Sequence, residues 1–141
     1  MNILDNTKVS VLFVCRNNSI RSQMAESILN SLYPEIYMAF SGGTDPTNIS
    51  ENTIIVLKEI EIDISNKKSK NIEIFKNIEF DHVITVCEDD KCPYFPNANN
   101  YTHKTFKDPK NSNELNCLDS FREVRDEINN WIIEIVETGM I

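Results

Sequence analysis

At 141 residues the chain has the length of one domain, enough to bury roughly two-thirds of its unfolded surface without a metal or disulfide staple. With 14 Lys and Arg against 22 Asp and Glu, its net charge of −8 argues against nucleic acid or anionic membranes as partners, since both require clustered cations. No apolar run approaches the ~20 residues of a membrane span and the acidic start Met1–Thr7 is not built like a signal peptide, so the expected location is the cytoplasm, where Cys15, Cys87, Cys92 and Cys117 stay reduced.

Val9–Val14 reads as a buried strand and runs directly into the loop Cys15–Arg21. A helix from Ser22 to Tyr33 follows, with Met24, Ala25, Ile28, Leu29 and Leu32 at helical spacing and Pro34 as its stop. Tyr37–Phe40 is a short strand entering the loop Ser41–Pro46, after which Ser50 and Glu51 open a helix through Ile54, Ile55, Leu57 and Ile60. A weaker helix is expected around Lys70–Lys76. His82–Val86 is a third strand, ending in an acidic loop that carries two cysteines, and Asn100–His103 a short fourth. From Leu115 to Glu137 apolar residues recur every three or four positions, predicting a long amphipathic helix that Gly139 ends. This alternation predicts an α/β fold: one domain over residues 1–141, a small parallel sheet with helices on both faces, and a ligand site at the carboxyl ends of the strands.

Cys15 lies at such an end. A thiol attacks as thiolate, and loop N–H groups, a helix N-terminus and a guanidinium all stabilise that form. The same features cradle a tetrahedral oxyanion. Arg21 supplies a planar fork for two oxygens, Ser22 a hydroxyl for the Cys15 sulfur, and Asn18 a brace for the loop. Without its strand and helix context, the pair would read as a small buried thiol and a surface arginine. Cys87 and Cys92 can close a disulfide only if the segment between them folds back. Metal binding is the other use of such a pair, although only His82 and His103 remain as further ligands. Cys117 is expected to pack on the last helix, and Asp108-Pro109 taken alone reads as a turn whose rigid proline can fix an acid in place.

The run Cys15-Arg16-Asn17-Asn18-Ser19-Ile20-Arg21-Ser22-Gln23-Met24-Ala25-Glu26 resembles the signature of thioredoxin-coupled arsenate reductases, which are built on the low-molecular-weight tyrosine phosphatase fold. The likeness continues through Ser41-Gly42-Gly43-Thr44, Ile62-Asp63-Ile64-Ser65, Val83–Cys87, Cys92-Pro93, Asp108-Pro109 and Phe121–Ile128. It implies a three-layer α/β sandwich on a four-stranded parallel sheet; the chain is expected to act as a monomer, with no cofactor and no metal site. It implies that Arg16, Asn17, Asn18, Ser19, Ile20, Arg21 and Ser22 hold arsenate, with phosphate or sulfate as analogues, and that Asp108 is the acid. By the same resemblance Cys15 attacks arsenate, Cys87 attacks the Cys15 sulfur and releases arsenite, and Cys92 resolves that disulfide for thioredoxin to reduce.

Three positions depart from the family pattern. Asn17 stands where glycine is frequent, which asparagine tolerates through its ease with positive φ. Ile20 replaces a common cysteine. Lys70 stands where members that bind potassium through positions matching Asn18, Glu26 and Ser41 carry an acid, so its ammonium is expected to replace the ion. Two alternatives remain open from sequence: a tyrosine phosphatase using only Cys15, Arg21 and Asp108, and a thiol module that binds metal or arsenite or senses redox state.

Overall fold

β1 (Val9–Val14) is built for the middle of a sheet, since Val11, Leu12, Phe13 and Val14 are fully buried whichever way they point. The computed structural model describes residues 4–88, 95, 98–111 and 117–141. β1 is flanked by β2 (Tyr37–Gly42) and β3 (Phe80–Thr85), and β4 (Ala98–His103) adds beyond β3. All pairings in the order β2-β1-β3-β4 are parallel, with Val14 in register with both Gly42 and Thr85. The four carboxyl ends therefore lie along one edge. The chain adds β2 on one side of β1 and β3 on the other, which opens a crevice at the end of β1, where Cys15 follows.

Strand alternation sorts the core into two faces. Val11 and Phe13 join Met24, Ile28 and Leu29 of α1 (Arg21–Leu32), Val56 and Leu57 of α2 (Glu51–Lys58), and Phe121, Ile128 and Ile132 of α3 (Cys117–Glu137). Leu12 and Val14 instead meet Ile72, Phe75, Phe80, Val83 and Phe95. There Phe40, Phe75 and Phe80 stack edge to face at 5.8 Å between each pair of ring centroids, which favours the aromatic quadrupoles as well as the burial. The three described α-helices thus share one face, and the third layer is thin.

That thin layer is where the expected helix at Lys70–Lys76 belongs. Only one 3-10 turn forms, Ile72–Phe75, capped by Asn71, whose side chain accepts from the Glu73 N–H. Its two buried residues, Ile72 and Phe75, are three apart, which suits three residues per turn and gives no reason to continue. The other helices lie within one or two residues of expectation, and Gly139 closes the last segment at φ 77°. Among the described residues no helix is long and apolar enough to cross a membrane.

Candidate active site

The loop between β1 and α1 is anchored by its carbonyls. Arg16 O accepts from Asp45 N at 2.9 Å, Asn17 O from Thr47 N at 3.1 Å and Ser19 O from Ser50 N at 3.2 Å. Asn18 O accepts from Ser69 Oγ at 2.8 Å and Gln23 Nε2 at 3.2 Å. A trans peptide points its N–H opposite to its carbonyl, so four outward carbonyls turn the N–H groups of Asn17, Asn18, Ser19 and Ile20 away from these tethers, toward the pocket. The start of α1 adds to them, because no side chain caps it and no acid stands in its first turn. The result is a concave donor surface suited to an oxyanion.

Two residues make the loop's shape possible. Asn18 is fully buried at φ 49°, donates from Nδ2 to Ser22 Oγ at 2.8 Å, and accepts at Oδ1 from Lys70 N at 2.8 Å and Gln23 Nε2 at 3.0 Å. The left-handed backbone expected at Asn17 is thus at Asn18, where the side chain has buried partners to hold it. Gly43 is the second, and its role was not apparent from sequence. A Cβ there would lie 2.4 Å from Arg16 O and 2.7 Å from Cys15 O, so only hydrogen fits beneath the loop.

Cys15 is 3% exposed, and its Sγ lies 2.9 Å from Ser22 Oγ. Since that oxygen already accepts from Asn18, its own hydrogen is free for the sulfur. Cys15, Asn17, Ser19, Ile20 and Arg21 line a small recess with Asp108 and Lys110. Above it opens a cleft of about 190 Å³ lined by Arg16, Asn17, Arg21, Cys87, Glu88, Asp108 and Lys110. Arg21 donates from Nη1 to Phe106 O at 2.9 Å, and its Nη2 is 3.6 Å from Asp108 Oδ2. The guanidinium and the carboxylate therefore pair directly with one another at the wall of the recess that holds Cys15.

Asn18 and Ser22 serve the site from beneath, while Arg16 stands exposed on the cleft wall. Cys87 is buried beside that cleft, two residues beyond the end of β3, and Val86 N donates to Val14 O at 2.9 Å, tying the strand ends of the two cysteines together. Cys87 is disulfide-bonded, whereas Cys15 is a free thiol. Cys92 and the side chain of Cys117 lie outside the described residues. Glu88, from the acidic loop expected after Cys87, lines the cleft, and so does Lys110, which nothing local marks in the sequence.

Under the loop, Glu26 is buried and meets Lys70 Nζ at 3.7 Å and Lys67 Nζ at 4.0 Å. Burial pushes the Glu26 carboxyl above its ordinary value, while Lys70, Lys67 and the nearby Ser41 pull it back. Burial likewise lowers the Lys70 ammonium, opposed by Glu26. Two ammonium groups on one carboxylate leave no net negative charge to draw in a potassium ion, and Asn18 Oδ1 already accepts two hydrogen bonds. These residues do not fit the ion. Glu26 Oε2, Ser41 Oγ and Gln23 Oε1 have no hydrogen-bond partner among the described residues.

Comparison with known proteins returns one consistent group. The family model for low molecular weight phosphotyrosine protein phosphatase matches residues 10–138. An arsenate reductase of Bacillus subtilis is 36% identical over 133 residues, covering 92% of this chain and 96% of that one. Arsenate reductase 1 of Staphylococcus haemolyticus is 35% identical over 133 residues, covering 93% and 97%. Among solved structures, an arsenate reductase in its phosphate binding state superposes with a TM-score of 0.78 at 28% identity, covering 92% of this chain and 98% of that one.

Proposed function

The chain belongs to the low molecular weight phosphotyrosine protein phosphatase family, and from that premise we propose that it is an arsenate reductase working through Cys15, Cys87 and Cys92. The observation that carries this reading is the second cysteine: Cys87 stands on the cleft above Cys15, at the end of the neighbouring parallel strand. A phosphatase needs one sulfur, whereas reduction of arsenate needs two electrons, and two thiols supply them by becoming a disulfide.

The steps follow from the groups present. The loop N–H groups and Arg21 hold the oxyanion, and the Cys15 thiolate attacks arsenic while Asp108 delivers a proton to the departing oxygen. Cys87 then attacks the Cys15 sulfur. The electron pair of the sulfur–arsenic bond stays with arsenic, arsenite leaves, and a Cys15–Cys87 disulfide remains. Cys92 attacks Cys87, freeing Cys15, and thioredoxin reduces the resulting Cys87–Cys92 pair. The disulfide state of Cys87 is in keeping with a cysteine that cycles. A single domain acting as a monomer in the reducing cytoplasm suits this relay.

The same cradle and acid suit aryl phosphates, so slow phosphatase activity accompanies the main reaction. Cys92→Ser tests the relay: multiple-turnover arsenate reduction with thioredoxin should stop while aryl-phosphate hydrolysis persists. Undiminished arsenate turnover in that variant would overturn the proposed order of thiols.

A further inference from the structure

Lys110 is half-exposed yet held in a defined place over the recess. Its Nζ lies 3.5 Å from Asn17 Oδ1 and 4.0 Å from Asp108 Oδ2, and its backbone N–H donates to Asp108 Oδ1 at 3.1 Å. Asn17 is itself oriented: its Nδ2 donates to Asp45 O at 2.8 Å, which turns Oδ1 toward the ammonium. One side of the cradle thus presents an acceptor to a cation brought by the other side. Lys110 lines both the cleft and the recess that holds Cys15.

Counting charges shows what this cation decides. The cleft carries Arg16, Arg21 and Lys110 against Glu88 and Asp108, a balance of +1. Without Lys110 it is zero, and a Cys15 thiolate below would make it negative, in a chain whose net charge is already −8. A doubly charged oxyanion would then meet repulsion at the mouth of its own site.

We propose that Lys110 is an anion-binding residue of this site, a second cation that swings from Asn17 and Asp108 onto the entering oxyanion and closes over it opposite Arg21. This rests on the reading that the site takes arsenate. A lysine suits the task because its ammonium is a point charge on a flexible stem, able to leave two weak partners for a dianion, while the fork of Arg21 sets orientation. Once it moves, Asp108 loses one of its cationic neighbours as the anion arrives.

Binding of inorganic phosphate, measured by titration calorimetry, tests this without turnover. Lys110→Ala should weaken phosphate binding about tenfold, Lys110→Glu by about 100-fold or more, and Lys110→Arg by no more than about threefold. For arsenate turnover the Ala variant should show a raised KM at nearly unchanged kcat, and the loss should shrink as salt is added. Lys104→Ala, which removes a cation lying over the Phe106 ring, is the control and should bind phosphate within about twofold of wild type. Wild-type affinity in Lys110→Ala and Lys110→Glu, or an equal loss in Lys104→Ala, would overturn the assignment. A wild-type protein that leaves arsenate unreduced while phosphate binding still depends on Lys110 would sink the proposed reaction and leave this residue's role standing.

Discussion

The two walls of the site are held in opposite ways. On one side the loop from Cys15 to Arg21 has the carbonyls of Arg16, Asn17, Asn18 and Ser19 all tied down, with a fully buried asparagine beneath them. On the other side the Asp108 carboxylate has one hydrogen bond, accepted from the Lys110 N–H at 3.1 Å, and two long ion pairs of 3.6 and 4.0 Å to Arg21 and Lys110, while Arg21 donates to Phe106 O at 2.9 Å. A donor surface stabilises developing charge best when it need not reorganise, so its rigidity belongs on the cradle side. The acid side has to admit an anion and release an oxygen, which weaker contacts permit. The difference teaches that stability and turnover can be perturbed separately in this molecule.

Asp108→Asn is the sharpest probe of the loosely held wall. It should lower kcat for aryl-phosphate hydrolysis by roughly 10²- to 10⁴-fold, the usual worth of a general acid, with Tm almost unchanged. A drop in Tm as large as that of a cradle variant would erase the distinction between the walls.

Gly43→Ala probes the rigid side. Its added methyl carbon has backbone within 2.4 Å and no flexible neighbour to displace, so the loop must shift. About 1–3 kcal/mol of stability should be lost in denaturant unfolding, together with about 100-fold in activity from misplaced N–H groups. Full activity in this variant would mean that the loop is less constrained than its contacts indicate.

The smallest effect concerns the charges beneath the loop. Burial raises the Glu26 carboxyl in the folded protein, so the stability tied to its neutral form is complete below the ordinary value of 4.5 and is lost as pH rises through the raised one. Lys70 opposes that loss. Lys70→Met should therefore be less stable than wild type by about 1–3 kcal/mol near neutral pH, with the two stability curves converging as pH falls toward about 4. Exchanging potassium for sodium should leave wild-type activity unchanged, since an ammonium already stands at Glu26; strong potassium stimulation would refute that substitution.

Much of this was legible along the chain. β1, its cysteine and α1 were readable because an unbroken apolar run, a loop and a helical stripe are local patterns; in the folded chain Cys15 lies against Ser22 and Arg21 against Asp108. Other features depend on which distant segment passes nearby. Positive φ belongs to Asn18 and not Asn17 because Lys70 N and Gln23 reach the former. Gly43 matters because β2 ends directly beneath Arg16 O. Lys110 and Asn17 are 93 residues apart, and no periodicity joins them.

The amino-acid sequence by itself determined the alternation of strands and helices and the nucleophile's place at a strand end, because burial and backbone propensity act within a few residues. Tertiary structure alone decided which peptide turns left-handed, where a side chain has no room, and which lysine faces the anion. Those outcomes are set by contacts across the sheet edge, and they come into existence only when the strand ends are brought side by side.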